Sequence, residues 1–251
     1  MTPHSFFCGR TAAVLFGAPV TPHDELDVAV LAPLRAPRGA GIRGRIVSPH
    51  LVEVEVRDGL ALTSPAATWA MLARELTERD LVVLGDAFVR IPRDDLGRRQ
   101  PTQALATLAQ LCAAVDAGRR RPKVIRLSAA LERIRVGSAS PLETEFRLDA
   151  STDGLPEAVL DAEIRGESGR LLGISEFAYP RFRTVVEIEG DHHRTSNRQW
   201  NRDLAKYRDY ADAGWEVVRL TSRNIRGHAP PDATTIVRRV LLRHGWDGRR
   251  R

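Results

Sequence analysis

Residues 184–190 read Thr-Val-Val-Glu-Ile-Glu-Gly, and this stretch constrains the chain more than any other. Side chains alternate across a strand, so Val186 and Ile188 share one face while Glu187 and Glu189 share the other. A strand this apolar must be covered on at least one side. Its glutamates then have two places to go. They reach solvent if the strand is an exposed edge, or they flank a cation, because neighbouring ionised carboxylates repel. Glu176 lies near the end of the preceding strand, and a hairpin pairing would bring it across the ladder from Glu187. Oxygen donors from Glu176, Glu187 and Glu189 suit a hard cation such as Mg²⁺ or Mn²⁺. His192 and His193 follow directly. A group that titrates near neutrality can act there as general base or acid.

The surrounding pattern places that strand in a layered α/β unit. A small-residue break at residues 137–140 is followed by a helix (140–150), strands at 158–164, 171–178 and 184–189, a helix (197–213), a strand (215–220) and a helix (233–244). That order predicts a mixed sheet with helices on both faces. Trp200, Leu204, Tyr207 and Ala211 fall at helical spacing and form the expected apolar face of the helix at 197–213. Gly214 follows in the position of a left-handed cap. Ser140-Pro141-Leu142-Glu143 reads as a capping box, which by itself accounts for Glu143.

Residues 1–137 form a separate α+β region, expected to be the smaller domain, with 138–251 as the second. A helix is expected at 10–16 and strands at 26–31, 42–47, 51–56 and 60–62. In the third, Val52, Val54 and Val56 alternate with Glu53 and Glu55, the period of a half-buried strand. Helices are expected from Ser64-Pro65 onward, where Ala66, Trp69, Ala70 and Leu76 share a side, and at 80–89, 102–117 and 123–134. Cys8 and Cys112 are far apart with no CxxC partner, which argues against a disulfide framework or a structural zinc and suggests small apolar roles for both.

The formal net charge of +6 and pI near 10.1 favour contact with phosphate backbones. Arg119-Arg120-Arg121 and the terminal Arg249-Arg250-Arg251 read as a solvated loop and a tail. Arg194, Arg198 and Arg202 follow the acidic cluster at four-residue spacing and could line a nucleic-acid groove. No apolar run is long enough to cross a bilayer and no signal-peptide layout is present, so a cytoplasmic protein without a membrane partner is expected.

Five segments in fixed order carry a resemblance: SPLETEFR (140–147), ISEFAYP (174–180), VVEIEGDHHR (185–194), RQWNRDLAK (198–206) and AGWEVVRLTSRNI (213–225). Together they resemble a bacterial domain-of-unknown-function family related to the very short patch repair (Vsr) mismatch endonucleases of the PD-(D/E)XK superfamily. The resemblance implies a restriction-endonuclease-like core. It places the helix glutamate at Glu143, the first metal-binding acid at Glu176, the strand acids at Glu187 and Glu189, the histidine at His193, and the tryptophan and aspartate at Trp200 and Asp203. Glutamate replaces the family's usual aspartate at 176 and 189, and the superfamily's lysine is missing from the third-strand motif. Lys206 could stand in for it, although its expected place is a solvated helix surface. RTAAVLF (10–16) and TSPAATWAML (63–72) resemble the body of AbiEi-type antitoxin and regulator proteins, with no winged helix-turn-helix recognisable ahead of them.

The expected function is a Mg²⁺- or Mn²⁺-dependent DNA endonuclease or nickase. Glu143, Glu176, Glu187 and His193 form its catalytic set, Glu176, Glu187 and Glu189 hold the metal, and Arg194 and Arg198 touch nucleic acid. The alternative is a non-catalytic, antitoxin-like nucleic-acid-binding regulator that keeps the nuclease fold as a scaffold.

Overall fold

The computed structural model describes residues 4–118, 124–189, 197–227 and 231–249, with 197–203 described by their backbone alone. The chain is a mixed α/β protein that divides into two compact units, Met1–Val136 and Gly137–Arg251. The N-terminal unit is the longer of the two, contrary to the expectation of a smaller domain. Among the described residues no helix is long and apolar enough to cross a membrane.

The N-terminal unit holds β1 (Phe6–Phe7), α1 (Gly9–Leu15), β2 (Leu26–Leu31), β3 (Ile42–Val47), β4 (Val54–Arg57), β5 (Leu60–Thr63), α2 (Pro65–Leu72), α3 (Glu78–Val89), α4 (Leu108–Ala117) and α5 (Val124–Arg133). Its sheet runs β3-β2-β1-β5-β4. β4 is therefore an edge, and Val56 is 75% exposed while Glu55 is half-buried. The Val/Glu alternation predicted the opposite, because periodicity gives the two faces of a strand without saying which one is covered. α4 starts at Leu108, later than the predicted residue 102. Pro101 opens a 3-10 turn instead, and Thr107 forms a reciprocal capping box with Gln110. Trp69, Leu72, Leu81, Leu84, Phe88, Leu111, Leu127 and Ile134 are fully buried, and the Trp69 indole donates to the Leu81 carbonyl at 2.9 Å.

Cys8 packs in an apolar cluster with Phe6, Ala29 and Val47. Burial, and then the charge of Asp27, push its thiol up to about 12. Cys112, by contrast, is exposed on α4, so only Cys8 fills the expected apolar role.

Asp27 is wholly buried on β2. It accepts from the Arg10 backbone N–H at 2.9 Å, and its carboxylate lies 3.3 Å from both Arg43 and Arg45 of β3. Those two arginines, with Arg10 and His23, also converge on Glu75, in the turn after α2. Burial works against the charge of Glu75. Hydrogen bonds from His23 and Arg45 and the charges of Arg45 and Arg43 outweigh it and hold the carboxyl down to about 2. A depressed folded pKa stabilises above the unfolded value and is lost as pH falls. Glu75→Gln is therefore expected to destabilise Met1–Val136 by about 2–3 kcal/mol at neutral pH. It should also remove the part of the acid-unfolding slope that lies between pH 4.5 and about 2. Equilibrium denaturation of both proteins across that range checks both effects.

The C-terminal unit contains α6 (Pro141–Thr152), β6 (Val159–Arg165), β7 (Leu171–Tyr179), β8 (Thr184–Glu189), α7 (Asn197–Asp212), β9 (Glu216–Thr221), α8 (Ser222–Ile225) and α9 (Ala233–Arg243). The sheet order is β6-β7-β8-β9, antiparallel except for the parallel β8–β9 pair that α7 connects. Phe146 and Ala150 of α6 and Val237, Val240 and Leu241 of α9 cover one face together with Phe177, Val186 and Ile188. Tyr210 of α7 covers the other with Ala162, Ile164, Ala178 and Val185. Helices on both faces of a mixed sheet are what the element order predicts. Gly214 closes α7 at φ +76°, a backbone position that a Cβ disfavours.

Candidate functional site

The site forms where β7 changes face. Leu160 pairs with Phe177, and both pack toward α6 and α9. Two residues along, Ala162 pairs with Ser175, and Ala162 packs toward α7. Simple alternation would leave Leu160 and Ala162 on the same side. The reversal falls at Asp161, held at φ +48°, and at Glu176 opposite it. Such a local twist re-aims side chains within a sheet. Ser175 and Gly173 consequently face α7.

β7 and β8 pair from Tyr179–Thr184 as far as Phe177–Val186. Beyond that point the Glu176 side chain replaces the ladder, its carboxylate accepting from the Ile188 N–H at 2.5 Å. Glu176 thus meets β8 as the hairpin pairing predicts, but by a side-chain-to-backbone bond. Burial, then the charges of Glu143 and Glu187, push its carboxyl up to about 9. Glu143 and Glu187 each lie near enough to Glu176 to oppose its ionisation.

Glu187 is buried in mid-sheet and satisfied on both oxygens. Ser175 Oγ donates to Oε1 at 2.8 Å, and Lys206 Nζ donates to Oε2 at 2.9 Å. The same ammonium donates to the Ile174 carbonyl at 3.1 Å and lies 5.4 Å and 5.6 Å from the centroids of the Tyr207 and Tyr210 rings. Lys206 is thus packed into the site, and the expected solvated lysine is overturned. The expected apolar face of α7 shifts with it: Leu204 is exposed, while Tyr210 is fully buried. Burial, and then the charge of Glu187, raise the Tyr210 phenol above its ordinary value. An amphipathic pattern read from apolar residues alone misses a face that includes a paired lysine.

Gly173 makes this packing possible. A Cβ there would stand 2.7 Å from Tyr210 Oη and 2.8 Å from Lys206 Cγ.

Glu189 keeps to the α7 side of the sheet but takes a different partner. It forms an ion pair with Arg219 of β9, whose guanidinium stacks 5.5 Å from the Tyr207 centroid. Among the described residues no three His, Cys, Asp or Glu side chains stand together at metal-holding distances. Glu143 lies buried at the start of α6. Its N–H donates to Ser140 Oγ at 3.2 Å, but its carboxylate accepts from Ala139 N–H at 2.7 Å, one residue before the predicted capping-box partner. His192, His193 and Arg194 lie outside the described residues. So do the side chains of Arg198, Trp200, Arg202 and Asp203, although α7 includes their backbone.

Sequence reasoning missed Ser175 altogether and set Lys206 aside. Ser175 directly precedes Glu176, yet alternation assigns it the wrong face unless the reversal at Asp161 is known.

Two uncharacterized proteins of Mycobacterium tuberculosis, one from strain CDC 1551 and one from strain H37Rv, are each 25% identical to this chain over 243 residues. The alignment covers 96% of this chain and 83% of each relative, so the similarity spans both units. No protein-family model and no solved structure matches the chain.

Gly173→Ala is expected to push Lys206 and Tyr210 off the sheet and to destabilise Gly137–Arg251 by about 1–3 kcal/mol, the usual cost of overpacking. Thermal or chemical denaturation followed through the α7 tyrosines measures it. Stability equal to wild type would mean that α7 does not depend on this close approach.

Proposed function

We propose that the C-terminal unit is a Mg²⁺- or Mn²⁺-dependent DNA endonuclease or nickase with a Vsr-like, PD-(D/E)XK-type core. The observation that carries this reading is the buried Glu176 carboxyl, pushed up to about 9 by burial and by the charges of Glu143 and Glu187, beside a Glu187 that is held by the Lys206 ammonium. A carboxyl group that burial and neighbouring carboxylates keep protonated is one that a divalent cation would allow to ionise. The oxygen-only chemistry of these carboxyls fits a hard ion. Mg²⁺ in particular is commonly held by one or two carboxylates, with water and substrate phosphate completing its shell. Glu176 and Glu187 would hold the ion. Glu189, paired with Arg219, sits at the outer edge of this set.

A bound divalent ion supplies a Lewis acid for the scissile phosphate and lowers the pKa of an attacking water. The chain's own groups do the rest. Ser175 fixes one oxygen of the Glu187 carboxylate, and Lys206 holds the other in the ion-free protein. The Ile188 N–H aims the Glu176 carboxyl toward the same space. Glu143, anchored by Ala139, supports the site electrostatically from α6. His193 would move a proton at the water or at the leaving oxygen, and Arg194 and Arg198 would hold the DNA backbone. The basic net charge supports a polyanionic partner.

One observation favours the regulator reading. Both acids of β8 already have protein cations, Lys206 for Glu187 and Arg219 for Glu189, so the carboxylates are neutralised without any added ion. The two readings separate on turnover. Supercoiled plasmid and mismatched duplex incubated with Mg²⁺ or Mn²⁺ should be nicked by the wild type. Glu187→Gln should lower the rate roughly a hundredfold or more while leaving DNA affinity nearly unchanged. Salt-dependent DNA binding with no metal-dependent cutting by either protein would leave the regulator reading in its place.

A further inference from the structure

The chain carries 36 arginines and two lysines, Lys123 and Lys206. Where this sequence needs a cation it almost always uses arginine, yet the group placed against the buried Glu187 is an ammonium. The two are not equivalent. A guanidinium is a planar fork that locks onto a carboxylate with two parallel bonds, whereas an ammonium is a compact point charge on a flexible stem. The Lys206 ammonium touches only one oxygen of Glu187, at 2.9 Å, and takes its second contact from the neutral Ile174 carbonyl at 3.1 Å. The other Glu187 oxygen belongs to Ser175, a neutral partner. Lys206 is thus the cation bonded to Glu187, and it stands where an incoming ion would bind.

We propose that Lys206 is a resident cation of this site: it holds Glu187 charged and oriented in the ion-free protein, and a divalent ion must displace it to load. This rests on the reading of Glu187 as a metal ligand. Lysine suits the role because an ammonium that holds only one oxygen of the carboxylate, on a flexible stem, can leave it without unfolding α7. Gly173, which lacks a Cβ, leaves room for the lysine stem against the sheet. Loading the ion therefore moves a positive charge away from Glu187. Lys206 is in this sense a positioning residue, coupled to the ion through Glu187.

The test needs no turnover. Calorimetric titration of the full chain with Mn²⁺ is compared for wild type, Lys206→Met and Glu187→Gln. Methionine keeps most of the apolar stem over Tyr207 and Tyr210 and removes the charge. Lys206→Met is expected to bind Mn²⁺ about tenfold more tightly than wild type, because the competing unit charge is gone. Glu187→Gln is expected to lose the site. In parallel, wild-type protein labelled with [¹³Cε]lysine gives two lysine side-chain signals, and the one absent from Lys206→Met is Lys206. During Mg²⁺ titration this signal should shift and saturate at the calorimetric midpoint. Two results overturn the resident-cation proposal while leaving the metal site intact: equal or weaker binding by Lys206→Met, or ion binding lost in Glu187→Gln but with the Lys206 signal unmoved in wild type. Absence of binding in wild type and Lys206→Met alike overturns the metal reading and the proposal together. Binding by Lys206→Met alone would support the proposal in its strongest form.

Discussion

A charged carboxylate in the middle of an apolar sheet sets the terms for the C-terminal unit. β8 is buried along most of its length, and Glu187 sits inside it with both neighbours apolar. An isolated ionised carboxylate in such a place costs many kcal/mol unless it is paired and hydrogen-bonded. Ser175 and Lys206 supply those partners, and the rest follows from bringing them there. Ser175 reaches Glu187 only because β7 and β6 reverse face at Asp161 and Glu176. Lys206 reaches it only because α7 lies close on the sheet, which requires the bare Cα of Gly173. Tyr210, one turn along α7, is carried into the core by the same approach. The irregular strand, the glycine and the helix position all serve one side chain.

The N-terminal unit solves a like problem with different residues. Asp27 is buried on β2, where it is met by a backbone N–H of α1 and by two arginines of β3. Glu75 shares those arginines and ties the helical layer to the sheet edge. Arginine suits this cluster because its several donors can serve two carboxylates at once, which a lysine cannot do with comparable geometry. The two units therefore use the two cations for different ends: arginines shared between two carboxylates in one, and an ammonium on one carboxylate oxygen in the other.

Much of this architecture is legible in the sequence, since it follows from local chemistry. β2, β3 and β8 fall where the apolar pattern puts them, and caps at Ser64 and Ser140 and the left-handed Gly214 mark helix ends by backbone requirements alone. The failures share a cause. Val54 and Val56 are exposed since β4 is an edge, which depends on strand order. The covered face of α7 holds Lys206 and Tyr210 in place of Leu204, because a buried acid elsewhere recruits a lysine. Glu143 passes as a capping residue, and its proximity to Glu176 appears only when α6 is laid against the sheet. Each miss is a residue whose role is fixed by something distant in sequence.

The two acids of TVVEIEG look equivalent in sequence, but the fold makes them unequal. Glu187 and Lys206 are only 9% and 20% exposed at their side chains, so little water screens them and removing either partner leaves the other desolvated. Glu189 and Arg219 are 32% and 41% exposed, and a pair of that kind contributes roughly 0–1 kcal/mol. Glu187 is therefore committed to its place, whereas Glu189 can leave Arg219 at small cost. One rigid acid beside one adjustable acid at the open end of a strand is an arrangement that accepts a change of partner without disturbing the sheet. It also suits the longer side chain of glutamate at position 189. The extra methylene lets the carboxylate swing between Arg219 and the space beside Glu187 while its backbone stays in the β8–β9 ladder, where Glu189 is paired with Thr221.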